Sequence, residues 1–246
     1  MIPISDRNPT RSFPIMNLTL IGINVVVFLF ELTLNSRQLD RFIFTWGVVP
    51  DSILLALAHP LQVPLTMWAT LVTSQFIHAG WLHIIGNMIF LWVFGDNVED
   101  ILGSFTYLIF YLVSGVVAGI AQALVTGPSN IPSIGASGAI AGVLGGYLLL
   151  YPLTKVTIII PIFFFFWGID LPALLVIGWW FVQQLFYGLG ALTTTAASGI
   201  AFWAHIGGFI AGMLLILPFL GRPRPRRRTA SYYDAMDDYI FPGSRT

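Results

Sequence analysis

The sequence predicts an all-α polytopic membrane protein, folded as one bundle of six transmembrane helices. The first observation is composition: 57% of the 246 residues are hydrophobic, 9% are charged, and the mean hydropathy is +0.84. About one quarter of the residues in a soluble domain are charged, so most of this chain must lie in lipid. The second is a series of six apolar runs. Their lengths are compared with the length of a helix that crosses a bilayer, which is about 20 residues. The third is chain length, which leaves room for one domain.

The first predicted span, residues 17–34, follows an N-terminal tail of residues 1–16 that carries Arg7 and Arg11. No small-residue cleavage site follows this span, so we expect it to remain as an anchor. The next segment, residues 35–80, is predicted to be a long first outer loop. Loops of this length usually contain short helices, and amphipathic helices lying in the outer interface would suit its apolar patches.

The remaining five spans are separated by polar turns, and the bundle ends at residue 220. Their predicted bounds are 81–94, 105–125, 137–151, 171–189 and 199–220. The second of the six stops at the polar cluster of residues 95–100. Residues 156–167 are apolar but contain Pro161 and are too short to cross, so we expect an interfacial or re-entrant segment there. The domain is therefore predicted to cover residues 17–220, followed by a basic, disordered tail of residues 221–246.

The basic residues indicate the orientation of the chain. Eight of the eleven Lys and Arg residues lie in the two terminal tails, although the formal net charge is zero. An even number of spans places both termini on one side, and the basic tails predict that this side is cytoplasmic. Because we see neither a transit peptide nor an additional leading span, we expect a bacterial plasma membrane.

The same composition limits the partners and cofactors that we expect. Clustering of charge at the tails gives a topology signal and predicts no nucleic-acid partner. The chain has no cysteine, which excludes disulfides and thiolate-ligated metals. No residue pattern suggests a metal or an organic cofactor.

Polar residues from three spans are predicted to lie at one depth below the outer surface. They are His83 and Asn87 in the second span, Ser137 in the fourth and His205 in the sixth. With a rise of 1.5 Å per residue, His205 is expected roughly 10 Å below the start of its helix. A hydroxyl and an imidazole in hydrocarbon are costly unless they are used, so Ser137 and His205 are predicted to be a serine nucleophile and its base.

His83 and Asn87 are four residues apart, which places them on one face of a helix. Either residue alone could simply bond a neighbouring helix. Because both are expected to face Ser137, an oxyanion pocket fits the pair better. His59 and His78 are expected to be ordinary loop or interface residues, and Gln183 and Gln184 have no predicted role.

Small residues line the two helices that carry Ser137 and His205. In the sixth span Gly208 and Gly212 continue the stripe of His205, and in the fourth span Gly138 belongs to a row of glycines beside Ser137. Small residues at this spacing let helix backbones approach closely. Plain helix packing would explain the glycines, but alanine at position 137 and leucine at position 205 would satisfy packing equally well.

Three motifs, taken together and in order, resemble the rhomboid intramembrane serine proteases. The motifs are His78-Ala79-Gly80-Trp81-Leu82-His83-Ile84-Ile85-Gly86-Asn87, Gly135-Ala136-Ser137-Gly138-Ala139-Ile140 and Ala204-His205-Ile206-Gly207-Gly208-Phe209-Ile210-Ala211-Gly212. The resemblance covers residues 9–220, and a lone Gly-x-Ser-Gly would be far less specific. It implies a rhomboid-like bundle of six helices with the long first outer loop.

The resemblance also implies a role for each polar residue. Ser137 would be the nucleophile and His205 the general base, with the oxyanion held by His83, Asn87 and the backbone N–H of Ser137. Gly135 and Gly138 would keep the backbone near the nucleophile uncluttered. The sequence agrees with a dyad rather than a triad, because no acidic residue is predicted near His205 in the outer half of a span.

In this family, access for substrates is expected from the side, at the fifth span and the loop before the sixth. Here these are residues 179–187 and 191–198. An ordinary lipid-facing surface would explain the aromatic fifth span equally well. The partners implied are single-span or polytopic transmembrane proteins, cleaved near their outer ends where small residues let a helix unwind.

Two other functions stay open at this stage. A rhomboid-like pseudoprotease would bind transmembrane helices without cleavage, but the presence of all four polar residues argues against it. A small transporter or channel would need ionisable residues through the bilayer midplane, where the predicted spans have none apart from the clustered set.

Overall fold

The computed structural model describes residues 2–162, 165–193 and 201–222. Within these residues the chain is mostly helical, with nine α-helices and one three-stranded sheet. The helices are α1 (Ile15–Glu31), α2 (Ser36–Trp46), α3 (Pro50–Ala58), α4 (Leu65–Thr73), α5 (Trp81–Leu102), α6 (Ser104–Thr126), α7 (Ser137–Leu150), α8 (Ala173–Thr193) and α9 (Phe202–Ile216). The strands are β1 (Ile2–Asp6), β2 (Lys155–Ile162) and β3 (Phe165–Pro172).

Among the described residues, three helices are long and apolar enough to cross a membrane. These are α6, α8, and α9 together with the 3₁₀ turn Leu217–Phe219 that extends it. Helices α4 and α5 meet at a bend of 84° and make a fourth if they count as one span. Helices α1 and α7 are apolar but have only 17 and 14 residues. These helices identify an integral membrane protein, whereas the count of six spans stays a prediction.

Helix α5 is longer than the sequence predicts, and its polar end contacts the N-terminal segment. The prediction that this span stops at residue 94 is wrong, since α5 continues to Leu102. Glu99 accepts hydrogen bonds from the backbone N–H groups of Met16 and Asn17, at 3.0 and 2.7 Å. The first N–H groups of a helix have no partner in their own helix, so a carboxylate there stabilises the start of α1. The carboxylate at the polar end of α5 is thus used by the start of α1.

The three-stranded sheet corrects the prediction of an all-α fold. The strand order is β1-β2-β3 and both pairs are antiparallel, with Lys155 of β2 opposite Pro172 of β3. Of residues 156–167, predicted to be interfacial or re-entrant, 156–162 belong to β2 and 165–167 to β3, and 163–164 lie outside the described residues. Val156 and Ile158 are fully buried and alternate with the partly exposed Thr157. Alternate burial of β-branched residues is the pattern of a half-buried strand.

Both predicted tails contain ordered residues. Residues 2–6 of the N-terminal tail form β1, and Arg7 then makes a salt bridge of 2.6 Å with Asp170 of β3. At the other end, the Arg222 guanidinium donates to the carbonyl oxygen of Ile101 at 2.9 Å. Residues 223–246, predicted to be a disordered tail, lie outside the described residues.

The main core lies between α5, α6 and α7. Its largest members are fully buried aromatic side chains, namely Phe94, Tyr107, Tyr111 and Tyr147. A smaller cluster around Ile53 and Leu71 packs α3 and α4, which lie within residues 35–80, against α6. Residues 35–80 thus contain α2, α3 and α4, and their position relative to the membrane surface stays a prediction.

Helices α7 and α9 touch through their glycines. A Cβ atom built on Gly208 would collide with the carbonyl oxygen of Gly138, and one built on Gly212 would collide with the backbone of Gly142. Helix backbones can come this close only where side chains are absent. This contact brings the starts of α7 and α9 side by side.

Candidate active site

Ser137 and His205 meet where α7 and α9 begin. Ser137 is the first residue of α7, and its Oγ lies 2.8 Å from Nε2 of His205, which is ordinary hydrogen-bond distance. Both residues are partly buried, so neither is sealed in the core. The two predicted residues are therefore brought together by the α7–α9 contact.

The depth predicted for His205 is wrong. Helix α9 begins at Phe202, so His205 lies in its first turn rather than roughly 10 Å below the helix start. The side chain of Gln122 in α6 accepts a hydrogen bond from the backbone N–H of Ala204 at 3.0 Å. The same N–H also donates to the carbonyl oxygen of Ala201 at 3.1 Å, so Gln122 adds a second acceptor at the start of α9 and stabilises the helix there.

The imidazole of His205 has partners on α8 that the sequence did not reveal. Oε1 of Gln184 lies 2.8 Å from its Nδ1, and the ring of Trp180 lies 5.8 Å from its centroid. Trp180 and Gln184 are four residues apart and so share one face of α8. That spacing is the sequence pattern that could have indicated a polar contact on this face. Gln183 is adjacent to Gln184, however, and only the rotation of the helix determines which of the two glutamines faces His205.

His83 and Asn87 of α5 lie against the turn that precedes Ser137. Gly135 in this turn has φ +122°, a conformation that favours glycine. A Cβ atom there would lie 2.7 Å from Nε2 of His83 and 3.8 Å from Nδ2 of Asn87. Because Gly135 has no side chain, it can adopt the turn conformation and also lets the side chains of His83 and Asn87 come close to the turn.

The hydrogen bonds of this region indicate which nitrogen atoms beside Ser137 can donate to a ligand. Nδ1 of His83 accepts a long hydrogen bond of 3.4 Å from the backbone N–H of Ala79, so in the neutral ring the proton is on Nε2. Nδ2 of Asn87 is buried and has no hydrogen-bond partner within the part of the chain that the structure describes. Ser137 adds a backbone N–H at the start of a helix, where intrahelical partners are lacking.

His78 contributes to the shape of this region although it was predicted to be ordinary. It is 1% exposed, its backbone N–H donates to the carboxylate of Glu31 at 3.2 Å, and its ring meets the ring of His83 edge-on at 5.0 Å. The contact therefore helps to orient His83. His59, in contrast, is exposed at the end of α3, as expected of an ordinary loop residue.

The predicted side gate falls mostly on α8. Trp179 and Tyr187 are 52% and 56% exposed, so this face of the helix is open to the surroundings. Of the predicted loop 191–198, residues 191–193 belong to the end of α8, and residues 194–198 lie outside the described residues.

The fold and this site define a class: an apolar, mostly helical membrane protein in which a serine and a histidine meet at the starts of two tightly packed helices. The comparison with known families agrees with this class. The family description "Rhomboid domain" matches residues 65–222, which is more than half of the chain. The protein therefore belongs to the rhomboid family.

Individual relatives include named proteases and proteins named only as rhomboid-like. The chain is 44% identical over 75 residues to Rhomboid-like protein 11, chloroplastic, of Arabidopsis thaliana, covering 30% of this chain and 26% of that protein. It is 36% identical over 83 residues to Putative rhomboid protease YdcA of Bacillus subtilis, covering 34% and 41%. It is 32% identical over 157 residues to Rhomboid protease GluP of the same organism, covering 64% and 27%. The matched part thus spans between a quarter and two fifths of the length of these relatives.

Proposed function

We propose that this protein is an intramembrane serine endopeptidase that cleaves transmembrane-helix substrates near their outer ends. The observation that carries the proposal is the 2.8 Å contact between Ser137 Oγ and His205 Nε2. Membership of a family that includes proteins named as proteases supports it. The side chains of His83 and Asn87 lie beside the turn before this serine, and Nδ2 of Asn87 has no partner among the described residues, which favours cleavage over binding alone.

In the first step, His205 acts as general base. Nε2 takes the hydroxyl proton of Ser137 while Oγ attacks the carbonyl carbon of the scissile peptide bond. The carbonyl oxygen becomes an oxyanion and lies among the N–H groups of His83, Asn87 and the Ser137 backbone. Collapse of this adduct breaks the C–N bond, and the imidazolium returns its proton to the leaving amine.

In the second step, water resolves the acyl-enzyme. His205 removes a proton from a water molecule, the resulting oxygen attacks the ester carbon, and Ser137 Oγ leaves and regains a proton from His205. This second step consumes water, which a position near the membrane surface supplies more readily than the bilayer centre. A location at the starts of α7 and α9 fits this need.

The substrate must present an extended peptide bond, although a helix in lipid keeps its backbone groups paired internally. We therefore propose substrates with small or helix-destabilising residues close to the cleaved bond. Access would be from the side along α8, whose Trp179 and Tyr187 are exposed. The proposed orientation has both termini in the cytoplasm, and the proposed membrane is a bacterial plasma membrane.

Co-expression with a panel of tagged single-span membrane proteins tests the proposal. The intact protein should release shortened products from at least one panel member, and Ser137→Ala and His205→Ala should each abolish them. Ser36→Ala is the matched control, since Ser36 is also the first residue of a helix but is exposed and remote in the fold. Cleavage that persists in Ser137→Ala would overturn the mechanism. Capture of panel members without cleavage by the intact protein would assign it to the pseudoproteases instead.

A further inference from the structure

Gln184 lies within hydrogen-bond distance of His205, and this contact bears on which nitrogen of the imidazole carries the proton. It lies on α8, is 8% exposed, and its Oε1 is 2.8 Å from Nδ1 of His205. An amide oxygen can only accept a hydrogen bond, so Nδ1 must be the donor. Because a neutral imidazole has one N–H, Nε2 then carries the lone pair.

The lone pair on Nε2 faces the hydroxyl of Ser137, 2.8 Å away. This is the arrangement that a general base requires, because Nε2 can take the hydroxyl proton only if it does not already hold one. In the other tautomer Nε2 would carry the proton, and the histidine could not act as base. The bond from Gln184 therefore selects between a competent and an incompetent imidazole.

We propose that Gln184 is a positioning residue that holds His205 in the tautomer needed to activate Ser137. This inference rests on the proposed function, and it assigns to a neutral amide the orienting part of the work that an acidic residue does in a triad. A carboxylate would also stabilise the imidazolium, but a buried charge in a membrane is expensive. The amide orients the ring without that expense.

Helix α8 holds the imidazole at two points. The ring of Trp180 lies tilted by 38° over His205, and Phe181 stacks on Phe209 one turn further along α9 at 4.3 Å. Gln184 makes its bond only while these aromatic contacts keep α8 against α9. The neighbouring Gln183 is partly exposed and provides a matched control of the same residue type on the same helix.

The first test reads the tautomer directly and needs no activity. Protein labelled with ¹⁵N at its four histidines is studied by NMR in detergent, and the signals of His205 are identified by their loss in His205→Gln. We expect a protonated Nδ1 and an unprotonated Nε2 in the wild type, in Gln183→Met and in Gln184→Glu. Gln184→Met, which keeps the size but removes the acceptor, should lose this preference. A proton on Nε2 in the wild type, or an unchanged tautomer in Gln184→Met, would overturn the proposal.

The second test follows the rate at which a fluorophosphonate probe labels Ser137, as a function of pH. Gln184→Met should slow labelling by up to about a hundredfold, the penalty for a misplaced catalytic group, with an unfolding midpoint like that of Gln183→Met. Gln184→Glu should recover most of the rate and change the pH profile, because its charge acts on the imidazolium. Equal slowing in Gln184→Met and Gln184→Glu would contradict a positioning role. A wild type that does not react at all would refute the proposed function, while the NMR measurement would still decide the role of Gln184.

Discussion

Asn87 is the residue of the site with the most open hydrogen-bonding capacity. Its Nδ2 atom is buried and unpartnered among the described residues, and it lies beside the turn of Gly135. A buried donor without a partner costs roughly 1–3 kcal/mol. Such a group is retained most readily where a ligand or a transition state supplies the acceptor.

We predict that Asn87→Ala lowers kcat for peptide-bond cleavage by about 10²- to 10³-fold, the loss typical of one oxyanion donor. The unfolding midpoint should not fall, because the variant loses a buried donor that has no hydrogen-bond partner among the described residues. The measurement is turnover of a cleaved substrate by purified protein in detergent, with the exposed Asn130→Ala as control. An unchanged kcat in Asn87→Ala would remove it from the oxyanion pocket.

Asp6 is a second residue whose surroundings lead to a testable prediction. It lies in β1 and contacts Tyr147, which is near the C-terminal end of α7. Its Oδ2 accepts hydrogen bonds from the hydroxyl of Tyr147 and from Nδ2 of Asn97. Burial raises the pKa of Asp6 from its ordinary value of 3.8 to about 7. The folded protein thus binds the proton of this carboxyl more tightly than the unfolded chain does.

We predict that Asp6 makes the protein less stable as the pH rises. A raised pKa in the folded state contributes stability that is complete below about pH 4 and is lost as the pH passes through about 7. The slope cannot exceed about 1.4 kcal/mol per pH unit, and partial exposure of Asp6 keeps it lower. Thermal unfolding between pH 5 and about pH 8 should show a steeper decline in wild type than in Asp6→Asn. Parallel curves for the two proteins would contradict this assignment.

At the scale of elements, the α7–α9 contact decides whether Ser137 and His205 can meet. These helices approach through glycines, so that a side chain on Gly212 would collide with backbone atoms of Gly142. Backbone atoms cannot move aside as a flexible side chain can. The helices themselves would have to separate, and the geometry at their starts would change with them.

We predict that Gly212→Ala destabilises the protein by about 1–3 kcal/mol, as overpacking generally does. Gly22→Ala is the control, since Gly22 is an exposed helical glycine of α1, and a Cβ atom added to it would meet no atom within 4 Å. It should leave stability unchanged or raise it by roughly 0.5–1 kcal/mol, because alanine favours a helix. Denaturation in detergent compares the two variants with wild type. Equal effects at both positions would show that the helices are not in tight contact.

For the whole molecule, sequence patterns predict the location of the site better than the outline of the fold. Ser137, His205, His83 and Asn87 stand out because polar groups are rare in apolar segments, and the structure brings them to one region. Gln184 does not stand out, because which of two adjacent glutamines faces His205 depends on the rotation of α8.

The sheet and the extension of α5 depend on contacts between parts of the chain that are far apart in sequence. Strand β1 pairs with β2 across about 150 residues, and Glu99 reaches α1 across 82 residues in its bond to Asn17. A run of β-branched residues at 156–160 was the local signal for a strand. The apolar length of this run indicates membrane contact equally well, and the alternation of burial becomes visible only once the partner strand is known.

The account depends most on Ser137 being a nucleophile that His205 activates. Mass spectrometry of protein treated with a fluorophosphonate probe locates the covalent adduct and compares its yield in wild type and His205→Ala. We predict an adduct on Ser137 alone among the serines, with little or none in His205→Ala. An adduct on a different residue, or an undiminished yield at Ser137 without His205, would contradict the account.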